Sequence, residues 1–389
     1  MILSSDLLYP YLDGRVYKEA KSLVQNGFDV TILCKGYKKG LPKVEMYNGI
    51  KIIRLSTQYG TVNSLFVLKS INYFDFILKF IWYGLKIDYD YIHCHDADTL
   101  PIGVGIKMLS FKNKKLVYDA HELATKMNKP KYHEVVFTII EKLMFRFCDI
   151  IISANDSRIE VMKKLYPKEL KNKMVVSIYN FPEIKEYNHD EIRKTYREKY
   201  RLRKDEVIFL YQGGLGENYG VTEIIDAVNL LKNREKIKLF VLGGGDYLIK
   251  LKNQVKKLNL KKVVFFTNYV KKEDVIKYDV IADVGLVAYK NTCLDMYYCA
   301  PNKLYEYMLA KCAVLGPNFP EMIKDIEGNE IGKTCDFSNP ADIAEKLNWF
   351  IENKEMVEKM KQRAYTLVIE KYNWGRMEEK LLELYRILK

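Results

Sequence analysis

The chain has 389 residues, of which 48% are hydrophobic and 29% charged, and it contains no low-complexity tract. This length favours two domains over a single core, and the composition excludes an intrinsically disordered chain. The formal net charge is +13, and residues 1–185 hold 28 basic and 19 acidic groups, an excess of +9. Because no nucleic-acid motif accompanies this charge, we expect the basic half to contact other anions and no nucleic acid.

Cysteine usage and the first residues bear on the compartment. The seven cysteines are scattered and lack CxxC spacing. This pattern argues against a disulfide framework and a structural zinc site, and it favours a reducing compartment. The opening residues, MILSS, are apolar for too short a run to form a signal peptide. We therefore expect the protein in the cytoplasm or on the inner face of the cell membrane.

The first half of the chain alternates short, β-branched apolar runs with helical patterns, which predicts buried parallel strands joined by helical crossovers. After a short first strand, a helix is predicted over 13–27, with Val16, Ala20 and Leu23 on one face and Gly27 as its end. The later strands are predicted at 28–34, 50–55, 91–95, 115–119, 149–153 and 174–179.

The least soluble stretch is 65–85. Lys69, Asp75 and Lys79 interrupt it, which excludes a transmembrane helix and predicts an amphipathic one. Its aromatic side chains and flanking lysines are typical of a helix packed on the sheet, which we favour, and also of a helix that dips into a bilayer surface.

The segment 179–183, followed by a charged helix at about 190–199, lacks core character and is predicted to be the linker. Strands then recur at 207–212, 237–242, 263–266, 283–287 and 313–316, which predicts a second doubly wound sheet. The predicted fold is α/β, with two Rossmann-like αβα domains, 1–182 and 183–370, facing each other across a cleft.

The most informative motif is the run PNKLYEYMLA at 301–310. Asn302, Lys303 and the free backbone N–H groups of a helix start favour a diphosphate, and Glu306 can accept hydrogen bonds from a ribose. The apolar residues at 304, 307 and 308 would also form a core stripe in any amphipathic helix.

This run resembles the donor-binding "PNKLFEYM" stretch of family 4 glycosyltransferases, which have the GT-B fold. Further landmarks follow in order: VYDAHEL at 117–123, LDGRV at 12–16, similar to "DxRV", and GGG at 243–245, similar to "GxG". The resemblance implies a retaining transferase that uses a nucleotide-diphosphate sugar, with no covalent nucleophile and no cofactor. It also implies a C-terminal helix, within 371–389, that packs back on the first domain.

A glycine-rich turn, YQGGLGENYG at 211–220, joins a strand to a helix. Gly213 and Gly214 would let backbone N–H groups approach a diphosphate, although such turns also permit tight packing. The family's turn reads "GRL…KG", and its Arg and Lys neutralise the leaving pyrophosphate. Gly214 and Tyr219 stand at those positions here, so Lys303 and Lys290 are the nearest replacements; each could equally be an ordinary surface residue.

Other donor contacts are less well encoded. The family's pair of glutamates keeps only Glu306, since Tyr298 stands eight residues earlier and Asp295 is the nearest substitute. Gly244 in the 243–245 turn is predicted beneath the nucleotide, and Tyr269 lies where relatives hold the base. These residues leave the donor sugar open, and UDP or GDP is expected as the nucleotide.

Three histidines, His93, His95 and His121, fall at the carboxyl ends of strands, where open α/β sheets bind ligands. His93 and His95 share a strand face, but no further close ligand set is evident, so no metal is expected. The resemblance implies that His121 lies beside the donor sugar as a neutral imidazole; a helix-capping or buried carboxylate-pairing role is the alternative.

The acceptor or phosphate side is assigned to Gly14, Arg15 and His95. Gly14 can approach a phosphate or sugar, Arg15 adds a charge, and an N-cap role for Asp13 is compatible with both. We expect sugar transfer to a glycan or lipid-linked acceptor in cell-surface polysaccharide or glycolipid synthesis, with peripheral contact to an anionic membrane. The alternatives are a nucleotide-sugar epimerase of the same fold and a pseudoenzyme that binds the donor without turnover.

Overall fold

The protein is described here from a computed structural model covering residues 1–4, 14–36, 41–56, 66–110, 114–124, 126–127 and 129–389. The chain forms two compact units, one of Met1–Asn180 with Met377–Lys389 and one of Phe181–Arg376. The sequence predicts divisions after 182 and 370, whereas the units divide after Asn180 and Arg376. Asp13 lies outside the described residues.

The first unit is built on a sheet whose described strands follow the order β3-β4-β2-β1-β5-β6-β7-β8. All neighbouring strands are parallel except β3, which runs antiparallel to β4. The apolar runs predicted from sequence form the buried strands. The strands are β1 (Ile2–Ser4), β2 (Thr31–Lys35), β3 (Val44–Tyr47), β4 (Ile50–Leu55), β5 (Tyr91–His95), β6 (Lys115–Ala120), β7 (Ile150–Ser153) and β8 (Met174–Ser177).

Helices cover both faces of this sheet. Helices α2, α3 and α4 each lead to a strand farther along the sheet in the same direction, so right-handed crossovers place all three on one face. Helix α1 leads to a strand in the other direction and therefore lies on the opposite face. Tyr385 bonds His93 and packs on Phe28, so the last helix lies on the α1 face. The helices are α1 (Gly14–Gln25), α2 (Phe66–Gly84), α3 (Leu100–Leu109), α4 (Lys131–Met144), α5 (Asp156–Leu165) and, from the chain's end, α15 (Trp374–Ile387).

The second unit has a parallel sheet of the order β11-β10-β9-β12-β13-β14. Its strands are β9 (Val207–Gln212), β10 (Ile237–Leu242), β11 (Val264–Asn268), β12 (Val284–Leu286), β13 (Ala313–Pro317) and β14 (Gly332–Cys335). Its helices are α6 (His189–Lys199), α7 (Val221–Leu230), α8 (Tyr247–Lys257), α9 (Lys272–Ile281), α10 (Leu294–Tyr297), α11 (Asn302–Leu309), α12 (Pro320–Met322), α13 (Pro340–Glu352) and α14 (Lys354–Glu370).

Helix α11, which carries the PNK motif, is anchored to the sheet beneath it. Leu304, Tyr307 and Met308 are fully buried, so the apolar stripe is part of the core. A Cβ at Gly285 would lie 2.2 Å from the Tyr307 ring, so only glycine permits this packing. The Tyr307 hydroxyl also accepts from the backbone N–H of Gln212, at 3.1 Å, which fixes α11 beside the end of β9.

Membrane crossing can be assessed from the helices directly. Over the described ranges, none of the helices is both long enough and apolar enough to span a bilayer.

Candidate active site

In the second unit, two glycine turns meet at the carboxyl edge of the sheet. Gly213 follows β9 with φ 130°, and Gly243 follows β10 with φ 155°. A Cβ added to Gly243 would lie 2.3 Å from the carbonyl oxygen of Gly213, so the approach of the two backbones requires glycine. The Gly213 N–H donates to Leu242 O at 3.0 Å. The two glycine turns predicted to lie at the donor nucleotide are therefore neighbours.

Lys303 reaches this edge from the first turn of α11. Its side chain is buried, and its Nζ lies 4.6 Å from the centroid of the Tyr211 ring and 4.8 Å from that of Tyr289. No carboxylate in the described part of the chain forms an ion pair with it. Burial lowers the pKa of Lys303 to about 8, although nearby Glu306 acts in the opposite direction. The ammonium is thus held between two aromatic faces, charged at neutral pH.

The rings of Tyr219 and Tyr211 both lie beside the glycine turn at Gly214. The Tyr219 ring packs edge-on against Tyr289, with 5.7 Å between centroids, and a Cβ at Gly214 would lie 3.3 Å from the Tyr219 ring. The Tyr211 hydroxyl donates to Gly214 O at 2.6 Å. Because a Cβ at Gly213 would come within 3.0 Å of Lys303 Nζ, the single ammonium lies directly against the turn.

Lys290, the other candidate cation, is engaged elsewhere. Its Nζ lies 3.0 Å from Glu223 Oε1 on α7, and both side chains are less than one-fifth exposed. The charge of Lys290 is therefore balanced within the protein, which leaves Lys303 as the better candidate for a phosphate.

The remaining predicted donor residues also lie at this edge. Glu306 accepts a hydrogen bond from Gln212 Nε2 at 2.9 Å, and Asn302 is exposed at the first position of α11. Tyr269 is 87% exposed, and its ring lies 3.6 Å from the position a Cβ would take on Gly244. An exposed aromatic ring beside a glycine turn suits stacking with a nucleobase.

In the first unit, a buried ion pair joins α1 to β6. The Arg15 guanidinium donates to both carboxylate oxygens of Asp119, at 2.9 and 2.8 Å, and to Ile178 O at 2.6 Å. Arg15 is 4% exposed. Burial opposes ionisation of Asp119, but Arg15 and His121 outweigh it and lower the pKa of Asp119 well below its usual value. The expectation that Arg15 faces a phosphate is corrected, because its guanidinium is buried in a structural pair.

The two histidines of β5 lie beneath this pair with their rings stacked, 4.4 Å apart. His93 Nδ1 bonds the Tyr385 hydroxyl at 2.9 Å, and its Nε2 lies 3.6 Å from Glu19 Oε2. Burial lowers the pKa of His93 and, together with the neighbouring Asp119 carboxylate, raises that of Glu19. His95 is 1% exposed, which removes it from direct contact with an acceptor, contrary to prediction.

The same cluster bears on the prediction that no metal binds here. Ligand atoms of Glu19, His93, His95 and Asp119 lie within 4.8 Å of one another, so the fold supplies two carboxylates that sequence reasoning missed. Arg15 Nε lies 3.1 Å from Glu19 Oε1 as well as bonding Asp119. The guanidinium therefore already provides the positive charge that these carboxylates need, and a metal ion would have to compete with it.

His121 stands at the solvent side of this cluster, with its side chain 18% exposed. Its Nε2 bonds His95 Nδ1 at 2.8 Å, and its Nδ1 lies 3.3 Å from Asp96 Oδ2. Burial opposes protonation, but the carboxylates of Asp96 and Asp119 outweigh it and raise the pKa of His121 to about 10. These two carboxylates favour the imidazolium form of His121, whereas the sequence predicts a neutral imidazole.

Sequence reasoning missed three groups that define these sites. Glu19 follows Arg15 by one helical turn on the same face, a spacing that could have been read as an i,i+4 pair. Tyr385 is 292 residues from His93, and no local pattern signals that contact. Tyr289 follows β12 as a ring beside Lys303, and its role depends on the fold.

Comparison with known proteins is consistent with this geometry. Residues 15–182 match the family described as Glycosyltransferase Family 4, and residues 192–367 match Glycosyl transferases group 1. An uncharacterized glycosyltransferase of Methanocaldococcus jannaschii is 23% identical over 95% of this chain and 92% of its own. The chain is thus a group 1 glycosyltransferase of the GT-B fold.

Two solved structures show the same fold at low identity. Sucrose-phosphate synthase from Thermosynechococcus elongatus has a TM-score of 0.79 at 17% identity, covering 100% of this chain and 98% of that one. HepE from Anabaena, solved in complex with UDP-glucose, has a TM-score of 0.72 at 14% identity, covering 99% and 98%.

Proposed function

We propose that this enzyme transfers a sugar, with retention of anomeric configuration, from a nucleotide-diphosphate sugar bound by the second unit to a glycan or lipid-linked acceptor. The observation that carries the donor assignment is Lys303, a buried ammonium without a carboxylate partner among the described residues, set against the glycine turn at 213. A buried cation is costly unless an anion compensates it, and a diphosphate at the turn and at the start of α11 would do so.

The nucleotide is proposed to be UDP, with GDP as the alternative. The similar HepE structure contains UDP-glucose, which supports a uridine nucleotide here. Tyr269 and the turn at Gly244 would receive the base, and Glu306 the ribose. No cofactor is proposed, because electrostatic stabilisation of the leaving group would suffice for the chemistry.

The transfer itself is proposed to depend on charge at both ends of the breaking bond. Lys303 and the N–H groups at the start of α11 stabilise the departing diphosphate, whose oxygen takes the acceptor proton. His121 is proposed to lie at the donor sugar. As an imidazolium it can donate a hydrogen bond to a sugar or phosphate oxygen once that oxygen displaces one of its present partners.

The biological setting is proposed to be cell-surface polysaccharide or glycolipid synthesis at the cytoplasmic side of the membrane. The excess of +9 in residues 1–185 supports an anionic acceptor or an anionic membrane near the first unit.

The test is a donor panel. The protein is incubated with UDP-, GDP-, ADP- and dTDP-sugars, with and without a membrane glycolipid extract, and free nucleotide diphosphate is measured. We expect release from a UDP-sugar that increases with the extract and is lost in Glu306→Ala. Glu345→Ala, which removes an exposed carboxylate of the same unit, is the control and should leave release unchanged.

Donor isomerisation without an acceptor would identify an epimerase instead. The absence of cations at 214 and 219 favours a second candidate, a pseudoenzyme. Nucleotide binding by calorimetry, with no donor consumed under any condition, would establish that function.

A further inference from the structure

Helix α2 leaves a second apolar stripe exposed. Phe76 and Phe80 are fully buried, as a packed helix requires. Ile71, Phe74 and Trp82 are nevertheless 57%, 62% and 55% exposed, and Leu78, between them, is 51% exposed. Their spacing at i, i+3, i+7 and i+11 puts them on one side of the helix.

Helix α4 repeats this pattern. Its exposed apolar side chains lie at i, i+3, i+4, i+7 and i+11, so they also form one stripe. They are Tyr132 at 46%, Val135 at 51%, Val136 at 39%, Ile139 at 52% and Leu143 at 54% exposed.

The two stripes belong to one surface. Helix α3 contacts both α2 and α4, and the crossovers put all three helices on one face of the sheet. The end of α3 adds Met108 and Leu109, 65% and 58% exposed. We call these eleven side chains on α2, α3 and α4 the apolar face. At about 200 Å² per large side chain, half exposure gives on the order of 1,000 Å², against roughly 300–600 Å² for the largest patch of a typical monomer.

The charge around the apolar face is positive. Lys86, Lys131 and Arg146 are exposed, and each lies three or four positions from an exposed apolar residue of α2 or α4. Lys142 is exposed beside Leu143. Within the described ranges, none of these four cations forms an ion pair.

The acidic groups of these helices are already compensated. Asp75 pairs with Lys79 at 2.8 Å, and Glu134 pairs with Lys126. Glu141 is buried and accepts hydrogen bonds from two tyrosine hydroxyls. The uncompensated charge near the apolar face is therefore cationic.

We propose that the apolar face inserts into the surface of an anionic lipid bilayer, with α2 and α4 lying in the plane of the interface. Apolar side chains flanked by exposed lysine and arginine are what a bilayer of acyl chains and anionic headgroups accommodates. A second copy of the chain fits less well, because pairing the same face would bring these cations together. The purpose, access to a lipid-linked acceptor, rests on the proposed function, but the binding itself does not.

The test uses the full chain and no sugar donor. Co-sedimentation is measured with vesicles of phosphatidylcholine alone and of phosphatidylcholine with phosphatidylglycerol. We expect binding to the anionic vesicles, decreasing with salt. The variant Phe74→Ser/Ile139→Ser should reduce it at least tenfold, and Lys131→Gln/Lys142→Gln about fivefold for each cation removed.

The control is Leu230→Ser/Ile249→Ser in the second unit, whose side chains are 56% and 68% exposed and should not affect binding. All substituted groups are exposed, so circular dichroism should confirm unchanged folding. Absence of vesicle binding, or equal loss in the control, would overturn the proposal. A dimer that dissociates on Phe74→Ser/Ile139→Ser would assign the apolar face to a second copy. Vesicle binding with no donor consumed would leave this proposal standing and reject the transferase mechanism alone.

Discussion

Replacing Lys303 with Met isolates the charge at the diphosphate site. Met keeps most of the buried volume between the Tyr211 and Tyr289 rings and removes the ammonium. Loss of one preorganised group that stabilises leaving-group charge costs ~100- to 1,000-fold in kcat. We expect that decrease in kcat for the best donor, with a smaller increase in KM, measured by nucleotide diphosphate release.

The same substitution should not destabilise the protein. Burial lowers the pKa of Lys303 from 10.5 to about 8, which corresponds to a cost on the order of 3 kcal/mol for the charged form at neutral pH. Because the folded pKa is the lower one, wild-type stability should rise as the pH increases from about 8 toward 10.5. Lys303→Met should abolish that rise and show an equal or higher Tm. If Lys303→Met is inactive but keeps its Tm, the loss of activity is due to the missing charge and not to misfolding.

Activity should follow the protonation of Lys303. With a pKa of about 8, the ammonium is present below that pH and lost above it, so kcat/KM for the donor should fall as the pH rises past 8. Lys303→Arg, which remains charged, should keep whatever activity it has to higher pH.

A cation introduced at position 219 should partly replace the charge of Lys303. Tyr219→Lys restores the family's second cation, and we prefer it to Gly214→Arg because a Cβ at 214 would lie 3.3 Å from the Tyr219 ring. In the Lys303→Met background it should recover activity at least tenfold. Lys290→Met is the control, since Lys290 is already paired with Glu223. Wild-type kcat in Lys303→Met, or an equal loss of kcat in Lys290→Met, would show that the Lys303 charge does not stabilise the leaving group.

Three further substitutions test the sites. His121→Asn should lower kcat ~100-fold. Because the pKa of His121 is raised to about 10, the pH profile of wild-type kcat should show no titration of His121 between pH 6 and 9. An inflection of that profile near pH 6.5 would contradict this prediction. Asp119→Asn leaves Arg15 buried without its carboxylate and should cost roughly 3–5 kcal/mol in urea unfolding, whereas an unchanged midpoint would contradict the pair. Gly243→Ala should lower the free energy of unfolding, since its Cβ would lie 2.3 Å from the carbonyl oxygen of Gly213. Gly244→Ala should not, because its Cβ would lie 3.6 Å from the nearest atom, on the Tyr269 ring. Equal effects of the two substitutions would contradict the close approach of the two backbones.

Most strands could be predicted from sequence because they are buried on both faces and appear as continuous apolar runs, as in β7 and β9. Two strands were not predicted. The edge strand β3 reads Val-Glu-Met-Tyr with no buried position, and β14 reads Gly-Lys-Thr-Cys, which lacks an apolar run. In both, pairing with a neighbouring strand supplies the structure, and local hydrophobicity does not reveal it.

The candidate site, too, could be predicted from the sequence only in part. The ends of strands and the starts of helices could be located from the sequence, and His121, Glu306 and Lys303 were predicted as site residues because they lie there. The charge state of His121 could not be predicted, because it depends on Asp96 and Asp119, which only the fold brings close to the imidazole ring. Burial of a residue is likewise set by packing, which is why Arg15, a correctly noted cation, proved to be structural.

Following the sugar itself distinguishes transfer to an acceptor from binding or isomerisation of the donor. UDP-sugar labelled in the sugar is incubated with the protein and a membrane glycolipid extract, and label in the glycan or lipid fraction is compared with UDP released. We expect one labelled sugar to be transferred for each UDP released, and both quantities to be reduced in Lys303→Met. If the labelled sugar stays attached to the nucleotide, whether the donor is only bound or is isomerised, the protein does not transfer sugar and the proposed function is wrong.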